Sequence, residues 1–171
     1  DGAVVSSQST DMTPAGNGVS CAASGITTAN QFARKYENLS AQTIGCTDFG
    51  AFNSGSSMLA NMNVINDSTP GPDPSVAGFA QIDTRQVFIA GGGFLGLVTV
   101  SFDPLLDVTD GMNVVFEMDM PASADGFAST GVNDLGETAL TYIRSDECGI
   151  ADYVSYESIG FSGYHWCHDF T

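Results

Sequence analysis

The residues able to do chemistry in this 171-residue chain are few and scattered. Near the C-terminus Ser162, His165 and Asp169 carry the letters of a hydrolytic triad, and His165, Cys167 and His168 those of a metal site. Both fail on geometry. A strand here sets His165 and His168 on opposite faces. One shared strand cannot converge a serine, a histidine and an aspartate on a single reacting atom, and no nucleophile elbow surrounds the serine. The run Gly91-Gly92-Gly93-Phe94-Leu95-Gly96 is glycine-rich, yet no helix or lysine follows to hold a phosphate, so it reads as a turn or bulge. The chain is expected not to be an enzyme, and a hydrolase is the last of the readings.

Two weaker binding chemistries remain. Asp67 and Asp73 lie in a loop with other aspartates nearby, and loop carboxylates and carbonyls at the end of a sandwich can hold a structural calcium. No EF-hand spacing is present, and an acidic chain places aspartates in solvated loops anyway, so no cofactor is required. Tyr153, Tyr156, Tyr164 and Trp166 are candidates for stacking on sugar rings, although burial in a core is the commoner fate of such aromatics. Arg34, Arg85 and Arg144 are expected to pair with carboxylates and brace strands.

Charge narrows the partners. Twenty acidic residues face four basic ones, for a formal charge of −16 and a pI near 4.1. Such a field repels nucleic acid and anionic membranes, and the apolar runs are too short to insert in a bilayer. The opening Asp1-Gly2, without an initiating Met, reads as a processed terminus. Cys21, Cys46, Cys148 and Cys167 form no CxxC and lack zinc spacing, so two disulfides in an oxidising, extracellular compartment are expected. Nearest-neighbour pairing gives Cys21–Cys46 and Cys148–Cys167.

The elements that position these residues read as strands. Met112, Val114, Phe116, Met118 and Met120 alternate with Asn113, Glu117 and Asp119, broken only by Val115. That period of two marks a strand with one buried and one wet face, started by Asp110-Gly111 and ended by Pro121. Further strands are expected at Val19–Ala22, Gln31–Leu39, Thr43–Phe52, Met58–Asn66, Val76–Ile82, Arg85–Ala90 and Phe94–Phe102, then at Phe127–Thr130, Leu140–Arg144 and Gly163–Phe170. Pro104 to Asp107 suggests a helical turn, Asp67 to Pro74 an exposed loop, and Ile150 to Ile159 either a strand or a short helix. Many short strands without a long helical period mean an all-β, antiparallel β-sandwich, jelly-roll-like. Residues 19–171 form its single domain. Residues 1–18 form an arm, in which the β-prone Ala3-Val4-Val5 precedes a polar tether from Ser6 to Gly18.

Several segments together resemble a family. They are Ile26-Thr27-Thr28-Ala29-Asn30 leading to Phe32-Ala33-Arg34, then Cys46-Thr47-Asp48-Phe49-Gly50-Ala51-Phe52-Asn53-Ser54-Gly55, then Thr141-Tyr142-Ile143-Arg144-Ser145, Cys148-Gly149-Ile150 and Ile159-Gly160-Phe161. In this order they resemble a β-sandwich domain of secreted and cell-surface proteins of marine and environmental bacteria. The resemblance implies export and a jelly-roll-like fold. It transfers no catalytic residue, because the family has no settled activity. Lys35 to Leu39 departs from the usual pattern by one extra residue.

The function expected from these readings is a non-enzymatic extracellular structural or adhesive subunit. It would self-associate into a filament or matrix by donating Ala3-Val4-Val5 as a strand to a neighbour's open edge. The alternative is a carbohydrate-binding module with polysaccharide as partner. The central strand has its own test. With Phe116 on a packed face and Glu117 on a wet one, Phe116→Asp should abolish folding and Glu117→Ala should be nearly silent. Thermal melts of the two variants check that register.

Overall fold

The computed structural model describes residues 6–9 and 11–171; Ala3, Val4 and Val5 lie outside the described residues. Two antiparallel sheets pack face to face as a β-sandwich. In chain order the strands are β1 (Ser6–Ser7), β2 (Gly16–Asn17), β3 (Ala22–Ala23), β4 (Ile26–Thr27), β5 (Asn30–Leu39), β6 (Gln42–Asn53), β7 (Met58–Asp67) and β8 (Phe79–Ile89). They continue as β9 (Phe94–Val108), β10 (Met112–Met120), β11 (Ala128–Asn133), β12 (Tyr142–Ser145), β13 (Ile150–Ser155), β14 (His165–Trp166) and β15 (His168–Phe170). One sheet runs β13-β12-β5-β10-β7-β8. The other centres on β6, with β9 along one edge and β15 and β11 sharing the opposite edge; β1 borders β15, while β14 and β2 border β11.

The expected central strand is β10, with the expected bounds. It lies between β5 and β7, so that Phe116 sits opposite Arg34 and Val64, and Met118 opposite Phe32 and Met62. The inner faces meet in one core whose centre is aromatic. Phe116 stacks on Phe170 at 5.2 Å, Tyr36 meets Phe170 edge-on at 4.8 Å, and Trp166 packs beside His168 at 4.9 Å. Each such ring, fully buried, contributes roughly 1.5–3 kcal/mol.

The second face of β10 is not wet. Val115 joins Ala33, Ile65, Tyr142 and Tyr153 in a separate small core on the outside of this sheet. Glu117 is buried there, taking hydrogen bonds from the Tyr153 hydroxyl and from Asn63 Nδ2 at 2.7 Å. The residue that broke the alternation marked this second layer. Glu117→Ala would leave the buried Tyr153 hydroxyl and the half-buried Asn63 amide without their acceptor, so the near-silence expected for it gives way to a cost of about 1–3 kcal/mol.

Other boundaries shifted for local reasons. The expected strands Val76–Ile82 and Arg85–Ala90 are a 3₁₀ turn, Val76–Gly78, followed by the single strand β8. The helical turn expected at Pro104 to Asp107 is a continuation of β9, where the ladder slips its register against β6. An edge strand tolerates a proline because one side of it has no ladder to serve. Residues 150–159 resolve into both options, the strand β13 and then a 3₁₀ turn, Glu157–Ile159. The described part of residues 1–18 is docked on the domain rather than tethered from it. Ser6 and Ser7 pair with Phe170 and Asp169, and Gly16 and Asn17 pair with β11. Ser9 Oγ donates to Trp166 O at 3.1 Å and accepts from His168 N at the same distance.

The disulfide pairing also differs from the nearest-neighbour expectation. Cys21 bonds to Cys148, 127 residues away, while Cys46 and Cys167 are free thiols. The cause is topological. Asn30, at the start of β5, takes a hydrogen bond from Cys21 N at 2.8 Å, and β12 runs beside that end of β5, so its exit brings Cys148 to Cys21. Cys46 lies on β6 four residues from Gly50, whose N–H bonds Cys167 O at 2.8 Å. At about 3.3 Å per residue the two thiols are offset by roughly 13 Å along neighbouring strands. Peptide mapping under non-reducing conditions should return Cys21–Cys148 and two free thiols. Replacing both bonded cysteines by serine should lower the unfolding free energy by up to about 5 kcal/mol, since the closed loop is long; urea midpoints measure it.

Candidate functional site

The loop holding Asp67 and Asp73 folds over the outside of the β13–β8 sheet and encloses the chain's single lysine. Lys35 Nζ lies 3.0 Å from Asp67 Oδ2, 2.9 Å from Thr69 O and 3.5 Å from Asp73 O, with both side chains of the ion pair fully buried. Carboxylate and carbonyl oxygens thus converge as they would on calcium, but the ammonium occupies the centre. Asp73 Oδ1 is taken by the Tyr142 hydroxyl at 2.7 Å. Burial pushes the Asp67 carboxyl up, while hydrogen bonds from Thr69 and the charge of Lys35 outweigh it and leave its pKa below the usual value. Asp67 and Asp73 are therefore structural oxygens around Lys35, and not an open metal site.

The aromatics separate in the same way. Tyr153 belongs to the outer core with its hydroxyl on Glu117. Tyr156 and Trp166 belong to the main core; the Tyr156 hydroxyl lies 3.0 Å from Thr130 Oγ1, and Trp166 Nε1 donates to Gly50 O at 2.9 Å. Of the four, only Tyr164 faces solvent, 45% exposed. Beside it stands Phe161, 40% exposed, with the rings edge to face at 6.0 Å. The segment Gly160-Phe161-Ser162-Gly163-Tyr164 is a turn in which both glycines have positive φ, a conformation other residues adopt at a cost. Two aromatics, each directly following such a glycine, were the sequence signal for an exposed turn.

This turn is the wall between two clefts. The larger, about 420 Å³, is lined by Ala15 and Gly16 of the docked arm, by Val132 to Asp134, and by Ser162 to Tyr164. The smaller reaches inward past Phe161 and Glu157 to Thr141, His165 and Glu137. Its floor is a buried charge cluster. Glu137 Oε2 lies 2.6 Å from Arg34 Nη1 and accepts from Thr141 Oγ1 at 3.1 Å. Glu137 Oε1 lies 2.9 Å from His165 Nδ1, close enough to pair yet off the hydrogen-bonding direction of the ring nitrogen. Arg34 also donates to Trp166 O at 2.6 Å; burial lowers its pKa and Glu137 counters that. Sequence reading had proposed neither Glu137 nor Phe161 as a site residue, and had named Phe161 only within the family resemblance.

The letters of the triad and the metal site do not come together. Ser162 lines the clefts, His165 meets Glu137, and Asp169 lies opposite Asp48 on the far strands. His168 is a satisfied core residue, 2.9 Å from the Tyr36 hydroxyl and 3.0 Å from Thr47 Oγ1. Burial, with the Arg34 charge behind it, holds it neutral. Among the described residues no three His, Cys, Asp or Glu side chains gather as metal ligands.

A second surface was legible only as charge. From Thr84 through Phe102, most of β8, the glycine turn after it and the first part of β9, the sequence contains no carboxylate. Phe88 (62% exposed) and its cross-strand partner Leu59 stand on the outside of one sheet, and Leu95 and Leu97 on the outside of the other. Between them, among the described residues, β8 pairs only with β7 and β9 only with β6. Neither of these long edges has a ladder partner among the described residues, and Arg85 Nη2 on β8 reaches across to Asp103 O on β9 at 3.2 Å.

Compared with known proteins, the chain matches no family model, no curated protein and no solved structure.

Asp48 and Asp169 generate a pH prediction. They face each other across β6 and β15, with Ser7 next in the row and Thr99 donating to Asp48 from the other side. Partial burial, and then the Asp48 charge, push the Asp169 pKa up to about 6. The folded state therefore binds this proton more tightly than the unfolded chain, and the group's contribution to stability falls as pH rises from about 4 through 6. Asp169→Asn mimics the protonated form. Melts should show it more stable than wild type at pH 7 and indistinguishable at pH 4.

Proposed function

We propose that the protein is a non-enzymatic extracellular structural or adhesive subunit that associates with copies of itself. The observation that carries this reading is the β8–β9 flank. It has two long strands with open edges, apolar side chains standing out on both sheets, and no carboxylate between Thr84 and Phe102. Copies of a chain with charge −16 repel one another, so contact is least costly where carboxylates are absent. Open edges with outward apolar residues are templates for pairing, and native proteins otherwise blunt them with charge. The disulfide and the acidic surface support an oxidising, extracellular setting.

The donor suggested by the sequence, Ala3-Val4-Val5, precedes β1, and β1 and β9 border opposite edges of the same sheet. Donation from one copy to β9 of the next would run head to tail and give an open filament unless the rotation closed a ring. Because Ser6–Ser7 and Gly16–Asn17 are pinned to their own domain, the donated segment is short and the copies must lie side by side.

Sedimentation velocity across a concentration series, at low salt and in about 0.5 M NaCl where repulsion is screened, tests the reading. Wild type should associate more strongly at high salt. Phe88→Asp with Leu97→Asp should remain monomeric with little change in melting temperature, since both side chains are exposed. Removing Asp1 to Val5 should abolish filaments if the arm is the donor. A wild type monomeric at high salt, or association indifferent to the double variant, would overturn the proposal.

A further inference from the structure

We infer that the two clefts flanking the Phe161–Tyr164 turn form one binding site for a neutral oligosaccharide, with the turn lying across the sugar chain. The clefts share Ser162, Gly163 and Tyr164 as a common wall. A ligand long enough to reach into both must cross that wall, where the two exposed rings stand. Rings that sit at right angles offer a face to one sugar unit and an edge to the next, and the C–H faces of a pyranose are apolar enough to gain from such contact.

The polar groups around the rings fit the same ligand. Among the described residues, the side chains of Asp134, Glu157, Ser162 and Tyr164 have no protein hydrogen-bond or ion-pair partner, and all four line one or both clefts. A mostly apolar and aromatic lining with a few free polar groups is the usual composition of a small-ligand site, and the larger cleft falls within the usual range of roughly 300–1,000 Å³. Two carboxylates, a hydroxyl and a phenol can accept from and donate to vicinal sugar hydroxyls. The same carboxylates, in a chain of charge −16, reject uronates, sulfated glycans and phosphates. The cations that could offset them are occupied: Arg34 holds Glu137 beneath the floor, and Lys35 is sealed behind Asp67.

The rings are held in place from below. Tyr164 N donates to Phe161 O at 3.3 Å, and Phe161 N donates to Tyr156 O at 2.9 Å, tying the turn to a tyrosine buried in the main core. On the arm side, Ala15 N donates to Val132 O at 2.8 Å and fixes the wall facing Tyr164. The site is therefore preformed, and little ordering cost falls on binding.

Isothermal titration and NMR of the intact chain with four unbranched neutral hexasaccharides test the inference. The probes are a β-1,4-glucan, a β-1,3-glucan, a β-1,4-mannan and an α-1,4-glucan, with an oligouronate of equal length as the anionic control. At least one neutral hexasaccharide should bind with a Kd of about 1 mM or tighter and shift the Tyr164 and Phe161 ring signals. Tyr164→Ala and Phe161→Ala should each weaken it about tenfold or more, and both variants should keep the wild-type fold by circular dichroism because the side chains are exposed. The uronate should not bind. Absence of binding by all four neutral sugars at about 10 mM, affinity unchanged in Tyr164→Ala, or uronate binding equal to the neutral sugars would overturn the inference. The readout is independent of self-association, because the clefts lie on the arm and on residues 132–165, away from β8 and β9.

Discussion

A positive charge sealed inside a protein must be surrounded by oxygen, and β5 carries two such charges side by side. Arg34 and Lys35 are adjacent, so the pleat sends them to opposite faces of the sheet, and both are sealed from water. Inward, Arg34 collects Glu137, Ala139 O and Trp166 O. Outward, Lys35 collects Asp67, Thr69 O and Asp73 O. Removing one partner of a buried pair costs about 3–5 kcal/mol, because the remaining charge is left stranded. Each cation therefore dictates where a distant segment must lie. Arg34 holds the segment before β12 against the C-terminal strands, and Lys35 holds the loop between β7 and β8 against the outside of its sheet.

Further features follow from these two anchors. With the Lys35 loop in place, Val115, Ile65, Ala33, Tyr142 and Tyr153 are shielded, and Glu117 becomes a buried acceptor. With Glu137 held by Arg34, His165 and Thr141 gather around it and the smaller cleft acquires its floor. The acidic character of the protein is thus a property of its surface. Two of its four cations serve the interior, and Arg85 and Arg144 brace strands, Arg85 through Asp103 O of β9 and Arg144 through Gln31 of β5.

The two proposed activities use two parts of the surface that differ in charge. On the β8–β9 flank carboxylates are missing and the backbone edges are open. At the Phe161–Tyr164 turn carboxylates are present and unpaired but stand beside exposed rings. The first environment favours a second copy of the same chain, and the second favours an uncharged, hydroxyl-rich ligand. Both are compatible in one molecule, as an adhesive subunit would require, because they occupy different parts of the sandwich.

The sequence by itself determined the all-β class and the central strand Met112–Met120. These depend on local periodicity and on which residues can share a face, and neighbours in the chain settle both. The carboxylate-free stretch from Thr84 to Phe102 can also be counted along the chain, but it became a surface only once the structure set β8 and β9 at the edges of their sheets. Only the tertiary structure decided that the opposite face of β10 is covered, that Lys35 rather than calcium sits among the oxygens of Asp67, Thr69 and Asp73, and that Cys21 bonds Cys148. It also decided that Tyr153, Tyr156 and Trp166 are buried while Tyr164 is not. Each of these depends on a segment tens of residues away folding across a sheet, and alternation along one strand reports a face without saying what will cover it.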